Sequence, residues 1–356
     1  MRVAENRKVG TASVAVRRLG GWVRGVVRFV GAENLSLLMV LALLVVVIVS
    51  QSKYFLLPQN LLNSLGQNTA VLGVIAVGET VVIVAGALDI SVGSIGGIAS
   101  VVSALVVTSS TSMQFGLLAG MAAGVGAGIL NGLIVTQLRV NPIIATLGTY
   151  AGFRGLAFLI APNGYPVPVP TSPDFTWLGV GRVLQFSGFP DGLPVIMLIL
   201  ILVAIIGHVL LRYTDFGRSI YAIGGNATAA RLAGINVTRV RIAMYAFSGA
   251  TAGLAGVLMT ARTTTGNPLN GQGMELQAIT AVFLGGAATV GGKGTVVGSI
   301  LAVLILGVLA NGMNLLGVQT FYQDVATGLL LIVAVAIAQW RAARAERTRT
   351  RIAAAA

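Results

Sequence analysis

The sequence predicts an all-α, polytopic integral membrane protein with about ten transmembrane helices. Of its 356 residues, 56% are hydrophobic and only 9% are charged, and the mean hydropathy is +0.90. The apolar residues fall in runs of roughly 17 to 22, which as helix cross about 30 Å of hydrocarbon. The sequence does not show the alternating pattern of membrane-barrel strands.

Ten apolar segments define the predicted spans between a basic arm (residues 1–34) and a basic tail (341–356). They lie in a transmembrane domain, residues 35–340, that also holds a central polar loop (212–241) and a long Pro-rich segment (161–191). A shorter polar segment, 263–273, precedes the eighth span and is expected to be an external loop. The predicted spans are 35–50, 69–86, 94–108, 115–138, 143–160, 193–211, 242–262, 275–290, 295–312 and 321–340.

The distribution of positive charge predicts the orientation of these spans. The formal charge of +13 is concentrated in the arm, the central loop and the tail. Cytoplasmic segments of membrane proteins carry such an excess of Lys and Arg. Both termini and loop 212–241 are therefore expected in the cytoplasm and segment 161–191 outside. The same distribution favours contact with membrane lipid over nucleic acid.

Several kinds of site are not expected. Cys is absent and His208 is the single His, which argues against a disulfide, thiolate chemistry or a metal centre. The run Gly291-Gly-Lys-Gly-Thr is similar to a phosphate-binding loop, but Lys293 is followed by Gly294 rather than Ser or Thr. No cofactor is expected on this chain.

Two Gly-rich breaks interrupt the apolar runs. Residues 87–93 contain Asp89, Ser91 and Gly93, and residues 291–294 form the second break. An offset of 199 residues aligns the two places. Repeats with broken helices are typical of transporters, and chance matching is the other interpretation because Gly totals 47 residues.

Ionisable residues within spans are costly and mark candidate functional groups. Glu79 and Arg154 either pair or each face a wet cavity. Asp89 is expected to cap the helix that follows the break, and Glu275 to be an ordinary first-turn acid. Neutral amides suit the path of a hydroxylated, uncharged solute, although amides also join helices. The candidates for the substrate pathway are Asn68, Glu79, Asn131, Arg154, Asn311 and Asn314.

A short helix is predicted inside the central loop. The Asn226 side chain is suited to cap its first turn, and Gly234 suits the left-handed position that ends a helix. Such a helix between two spans either only connects them or transmits force to them from outside the bilayer.

Three stretches resemble the permease subunits of bacterial ABC sugar importers, in the ribose, xylose, arabinose and galactose branch. They are Gly86-Ala-Leu-Asp-Ile-Ser-Val-Gly-Ser, Thr146-Leu-Gly-Thr with Arg154-Gly-Leu-Ala, and Gly217-Arg-Ser-Ile-Tyr-Ala-Ile-Gly-Gly-Asn followed by Ala229-Ala-Arg-Leu-Ala-Gly-Ile. Thr228 to Gly234 also resembles the Glu-Ala-Ala-x-x-x-Gly signature by which importer permeases couple to their ATPase, but Thr228 stands in place of the Glu. Arg218 and Arg231 are candidate substitutes for the ion pair that the Glu would form.

The resemblance implies a pore of two permeases, alike or related, that lies in the inner membrane of a bacterium and translocates a monosaccharide. It also implies an ATPase subunit that binds ATP and Mg, and a sugar-binding protein outside the cell. The residues that it places at the ATPase contact are Gly217, Arg218, Tyr221, Gly224, Gly225, Asn226, Ala229, Ala230, Arg231 and Gly234. The residues alone leave open a self-sufficient secondary transporter or channel, with Glu79 at its ion-coupling site, and a membrane-embedded enzyme. They do not name the sugar.

Overall fold

The computed structural model describes residues 34–110, 112–169, 173–186 and 191–355. The predicted N-terminal arm therefore lies, apart from Asn34, outside the described residues. Twelve α-helices account for most of the described chain. They are α1 Leu35–Gln51, α2 Gln67–Val84, α3 Val92–Ser110, α4 Met113–Thr136, α5 Pro142–Ile160, α6 Pro173–Val180, α7 Val195–Tyr213, α8 Asp215–Leu232, α9 Val237–Thr263, α10 Met274–Leu284, α11 Val296–Leu315 and α12 Thr320–Ala355.

Other elements are few and short. A π-helix, Asn60–Gly66, runs directly into α2, and a 3-10 turn covers Pro162–Gly164. Two antiparallel ladders join β1 (Val167–Pro168) to β4 (Thr265–Gly266) and β2 (Arg182–Val183) to β3 (Leu193–Pro194). Each ladder pairs only two residues of each strand, so the prediction of an all-α protein is confirmed.

Seven helices of the described chain are long and apolar enough to cross a membrane, counting the π-helix with α2. Three further apolar helical stretches are shorter. They are Leu35–Gln51, Met274–Leu284 and the part of α12 that covers Thr320–Ala336. A polytopic membrane protein is thus confirmed, whereas the count of about ten spans is not.

One predicted span is wrong. The sequence prediction continued from residue 275 to 290, but α10 ends at Leu284 and has only 11 residues. At 1.5 Å per residue this helix covers about half of a 30 Å hydrocarbon layer. It ends early because Gly286 takes a left-handed conformation (φ +95°) and the chain turns.

The segment before α10 also differs from the predicted external loop. The backbone N–H of Asn267 donates to Ser100 Oγ (3.1 Å), and Asn270 Nδ2 donates to the same oxygen (2.9 Å). Ser100 lies within α3, and Gly271 packs against Gly93 at the start of that helix. Residues 267–273 therefore fold back into the helix bundle, where Ser100 of α3 accepts two of their hydrogen bonds.

The C-termini of α2 and α10 are built alike. In α2, the N–H groups of Gly86 and Ala87 donate to the carbonyls of Ile83 and Val82. Gly286 and Ala287 donate to Phe283 and Val282 in the same way. Gly86 and Gly286 are both left-handed, as this type of helix end requires. The structural correspondence therefore falls at an offset of 200 residues, and the predicted offset of 199 is wrong by one.

Glycines allow the central helices α4 and α9 to pack with their backbones in contact. A Cβ on Gly124 would overlap the carbonyl oxygen of Gly249 and lie 2.7 Å from Gly253 Cα. Small residues let membrane helices approach in this way. The pairing places α9 at the centre of the bundle, beside α2 and α3.

We predict that Gly124→Ala lowers the thermal unfolding midpoint of the detergent-solubilised protein, because overpacking a tight contact costs about 1–3 kcal/mol. Gly126→Ala on the same helix is the matched control, since no atom lies within 4 Å of the Cβ it would add. Equal midpoints for the two variants, measured by tryptophan fluorescence, would contradict this packing.

Candidate functional site

The first break holds a network of buried polar groups around Asp89. Its Oδ1 accepts the Ser91 N–H (3.0 Å) and the Ser91 hydroxyl (2.6 Å). Asn131 Nδ2 from α4 donates to Ser91 Oγ (2.7 Å), and the Ser248 hydroxyl from α9 donates to Asp89 Oδ2 (3.2 Å). Asp89 therefore organises the turn that leads into α3, which is the structural role predicted for it.

Glu79 lies beside this network, on α2. Its Oε1 accepts the backbone N–H of Asp89 at 3.2 Å. Glu79 is five residues before the end of α2, so the break folds back beside the helix instead of leaving the bundle at Val84. Glu79, Asp89, Ser91 and Asn131 are all fully buried. This part of the described chain is sealed from its surroundings.

Arg154 does not join Glu79 among the described residues, and the full burial of Glu79 argues against a wet cavity there as well. Its guanidinium donates to the carbonyls of Pro268 and Asn270, in segment 267–273, and lies over the Tyr150 ring. The one ion pair among the described residues joins Asp215 and Arg218, both exposed. Arg154 thus links α5 to the segment before α10 by hydrogen bonds.

Gly93 and Glu275 meet on the opposite side of the break. A Cβ on Gly93 would overlap Glu275 Oε2 and lie 2.5 Å from the carbonyl of Gly271. Glu275 Oε1 accepts the N–H of Gly273 at 3.2 Å. Glu275 therefore does sit in the first turn of α10, but within the bundle rather than at an outer loop.

The predicted amides lie in separate places. Asn311 exchanges two hydrogen bonds with Asn60 of the π-helix (2.9 and 2.8 Å). Asn314 accepts from Gln323 (2.7 Å) and is exposed, and Asn68 is exposed at the start of α2. The structure brings Glu79, Asp89, Ser91 and Asn131 together and leaves the other pathway candidates apart. Their roles remain predictions.

The helix predicted in the central loop is present and is longer than expected. Helix α8 begins at Asp215, where Thr214 Oγ1 accepts the N–H of Gly217 (3.1 Å), so the residues before Asn226 are not a loop. At Asn226 the helix is interrupted (φ −163°, ψ 102°), and its Oδ1 accepts the N–H groups of Thr228 and Ala229, each at 3.0 Å. Gly234 is left-handed (φ +87°). Both predicted end signals are therefore confirmed.

One side of α8 is fixed to the end of α2, where the first break begins, and to the second break. A Cβ on Gly224 would overlap the Val84 carbonyl at the end of α2, and the N–H of Gly292 donates to that same carbonyl at 2.8 Å. The Tyr221 hydroxyl donates to Gly294 O at 2.7 Å. Burial raises the pKa of the Tyr221 phenol, an effect that Arg212 partly offsets, so the phenol remains a donor at neutral pH. The first half of α8 is thus held by the break residues themselves.

The other side of α8 faces away from the bundle. Ala230 is buried with Ile223 and Val237, and Gly217 is buried at the helix start. The exposed residues include Leu232, whose side chain is 86% exposed although it is apolar and outside any predicted span. Sequence reasoning missed Leu232, since only its exposure distinguishes it from the leucines of the spans. The exposed set is Asp215, Arg218, Gly225, Asn226, Thr228, Ala229, Arg231, Leu232, Ala233 and Gly234.

Comparison with known proteins identifies the family. Residues 60–335 match a family model described as a branched-chain amino acid transport system permease component. The ribose import permease protein RbsC of Bacillus subtilis is 43% identical over 296 residues, which cover 83% of this chain and 89% of that protein. The chain belongs to the permeases of ABC sugar importers. As such it is a pore subunit and not an enzyme.

Two further permeases support the assignment. Escherichia coli RbsC, also a ribose import permease, is 38% identical over 308 residues (86% of this chain, 93% of that protein). The L-arabinose transport system permease AraH of E. coli is 37% identical over 287 residues (81% and 84%). No solved structure matches this chain.

We predict that Gly224→Ala lowers the thermal stability of the permease by about 1–3 kcal/mol, because the added methyl overlaps backbone atoms that cannot rotate away. Gly225→Ala is the matched control, since the Cβ it adds meets nothing within 4 Å. The comparison is made by thermal unfolding in detergent. A Gly224→Ala protein as stable as the Gly225→Ala protein would contradict the close contact between α8 and α2.

Proposed function

We propose that this chain is the membrane subunit of an ATP-driven importer that translocates a pentose- or hexose-type monosaccharide across the bacterial inner membrane. The named relatives import ribose and arabinose, which supports a sugar of this class. The observation that carries the mechanism is that α8 has one side fixed to both helix breaks and another side exposed. A partner that binds the exposed side and moves α8 would therefore also move the breaks.

The proposed partner at the exposed side of α8 is an ATPase subunit, and ATP with Mg belongs to that partner. Exposed Arg231 supplies a charge and exposed Leu232 an apolar anchor, with the small residues Ala229 and Gly234 exposed beside them. Anchors of this kind dominate binding energy when a pocket of the partner covers them. Closure of the ATPase pair would then move Gly224 and Tyr221 together with the breaks they contact.

The proposed sugar path lies between two permease copies rather than through one. The polar network of the first break is fully buried, so a single chain offers no open path there. On α5, by contrast, Gly148, Gly152 and Gly155 are exposed, with nothing within 4 Å of an added Cβ. A sugar-binding protein would deliver the sugar at the outer side, where segment 161–191 is expected.

We predict that Leu232→Asp separates the permease from its ATPase without unfolding it. An exposed side chain contributes little to the fold, whereas a charge placed in an apolar pocket costs about 2 kcal/mol or more of binding, roughly 30-fold in affinity. The measurement is co-purification of the two subunits from detergent extracts, together with sugar-stimulated ATP hydrolysis. Leu232→Met is the control and should behave as the wild type. Full co-purification of the Leu232→Asp protein would contradict the docking site.

The function itself is tested with proteoliposomes. Uptake of labelled ribose, arabinose, xylose and galactose should require the permease, the ATPase, ATP and a binding protein together. The purified chain alone should transport none of them. Uptake driven by an ion gradient without the ATPase would instead support a secondary transporter.

A further inference from the structure

Glu79 is a buried carboxyl group of α2 beside the first break, and it has too few hydrogen-bond donors around it to stabilise a negative charge. The neighbouring Asp89 is well solvated by the protein. Besides the three donors already described, Asn131 Nδ2 approaches its Oδ1 at 3.5 Å. A carboxylate has about four acceptor sites. Asp89 therefore has the surroundings of an ionised carboxylate, stabilised by hydrogen bonds that favour the charged form.

Glu79 has almost no such support. Among the described residues, the backbone N–H of Asp89 is its only hydrogen-bond donor, and it reaches Oε1 alone. Oε2 is buried and has no hydrogen-bond partner among the described residues, and the same holds for Asn131 Oδ1. The side chain is 0% exposed. Two adjacent carboxylates thus have very different environments.

No cation compensates a second negative charge here. Within the described residues, no Lys, Arg or His nitrogen lies within 4.0 Å of either carboxylate. The other titratable groups of this region are Glu275 of α10, which meets Gly93, and two residues of α9. Tyr245 donates its hydroxyl to the Leu88 carbonyl at 3.4 Å, and Arg241 lies one turn before it. An isolated charge buried beside a like charge carries a penalty of many kcal/mol and is normally removed by protonation.

We propose that Glu79 is a proton-binding site and carries its proton at neutral pH, while Asp89 stays ionised. The proton comes from water and forms an O–H bond on the free oxygen of Glu79, so the pair holds one negative charge instead of two. The break between α2 and α3 then holds a neutral acid on one side and a carboxylate with its full set of hydrogen bonds on the other. This proton is distinct from the sugar and from the ATPase contact, and it does not rest on the proposed function.

Infrared spectroscopy tests the site directly on the full-length permease in detergent. The chain has only 10 Asp and Glu residues, so the background of carboxyl signals is low. At neutral pH, the wild type should show the C=O stretching band of one buried carboxylic acid, which shifts in D2O. Glu79→Gln should lose that band. Asp89→Asn should keep it if that variant folds. No such band in the wild type, or an equal band in Glu79→Gln, overturns the proposal.

Thermal unfolding supplies a second measurement that does not depend on transport. Gln has the shape of a neutral Glu, so Glu79→Gln should unfold at the wild-type midpoint, whereas Glu79→Ala should unfold earlier because it leaves a cavity. A Glu79→Gln midpoint as low as that of Glu79→Ala would mean that the charge is required. A bound monovalent cation is the other outcome. In that case NaCl, compared with N-methylglucamine chloride, would raise the wild-type midpoint but not that of Glu79→Gln, and the proton proposal would be wrong.

Discussion

The backbone contact between Gly224 of α8 and the Val84 carbonyl of α2 is the constraint on which the proposed coupling depends. The same carbonyl accepts the N–H of Gly292. One oxygen atom thus lies where α8, the end of α2 and the second break meet. A Cβ on Gly291 would in turn lie 2.7 Å from Gly86 Cα, so the two breaks also touch each other. Because no side chain separates these backbones, none of the three elements can shift by much without moving the others.

The polar residues around the breaks are explained by the free-energy cost of unpaired backbone groups in a membrane. Irregular chain is tolerated at that depth only where protein satisfies it. At the first break, the Asp89 carboxylate and the Ser91 hydroxyl provide the hydrogen bonds. At the segment before α10, Ser100 and Arg154 do so. Asp89 and Arg154, which are costly residues in a membrane, therefore have a structural role because they satisfy chain that is not helical.

Local signals in the sequence predicted the parts of this arrangement that depend on nearby residues. Asn226 and Gly234 mark helix ends because each acts on backbone groups within a few positions. The apolar runs predicted most helices to within a few residues. Distant partners could not be predicted. The apolar pattern passes through Gly286, so α10 was extended too far, and the contact of Arg154 with Pro268 spans 114 residues. The exposure of Leu232 likewise depends on how α8 packs.

Side-chain accessibility at the exposed half of α8 tests the central claim most directly, because the coupling scheme requires this surface to face the cytoplasm. The chain lacks cysteine, so Ala229→Cys introduces a single thiol at an exposed position. Cells expressing this variant are treated with a membrane-impermeant maleimide before and after permeabilisation. The account predicts labelling only after permeabilisation, with less labelling when the ATPase subunit is co-expressed. Labelling in intact cells would contradict it.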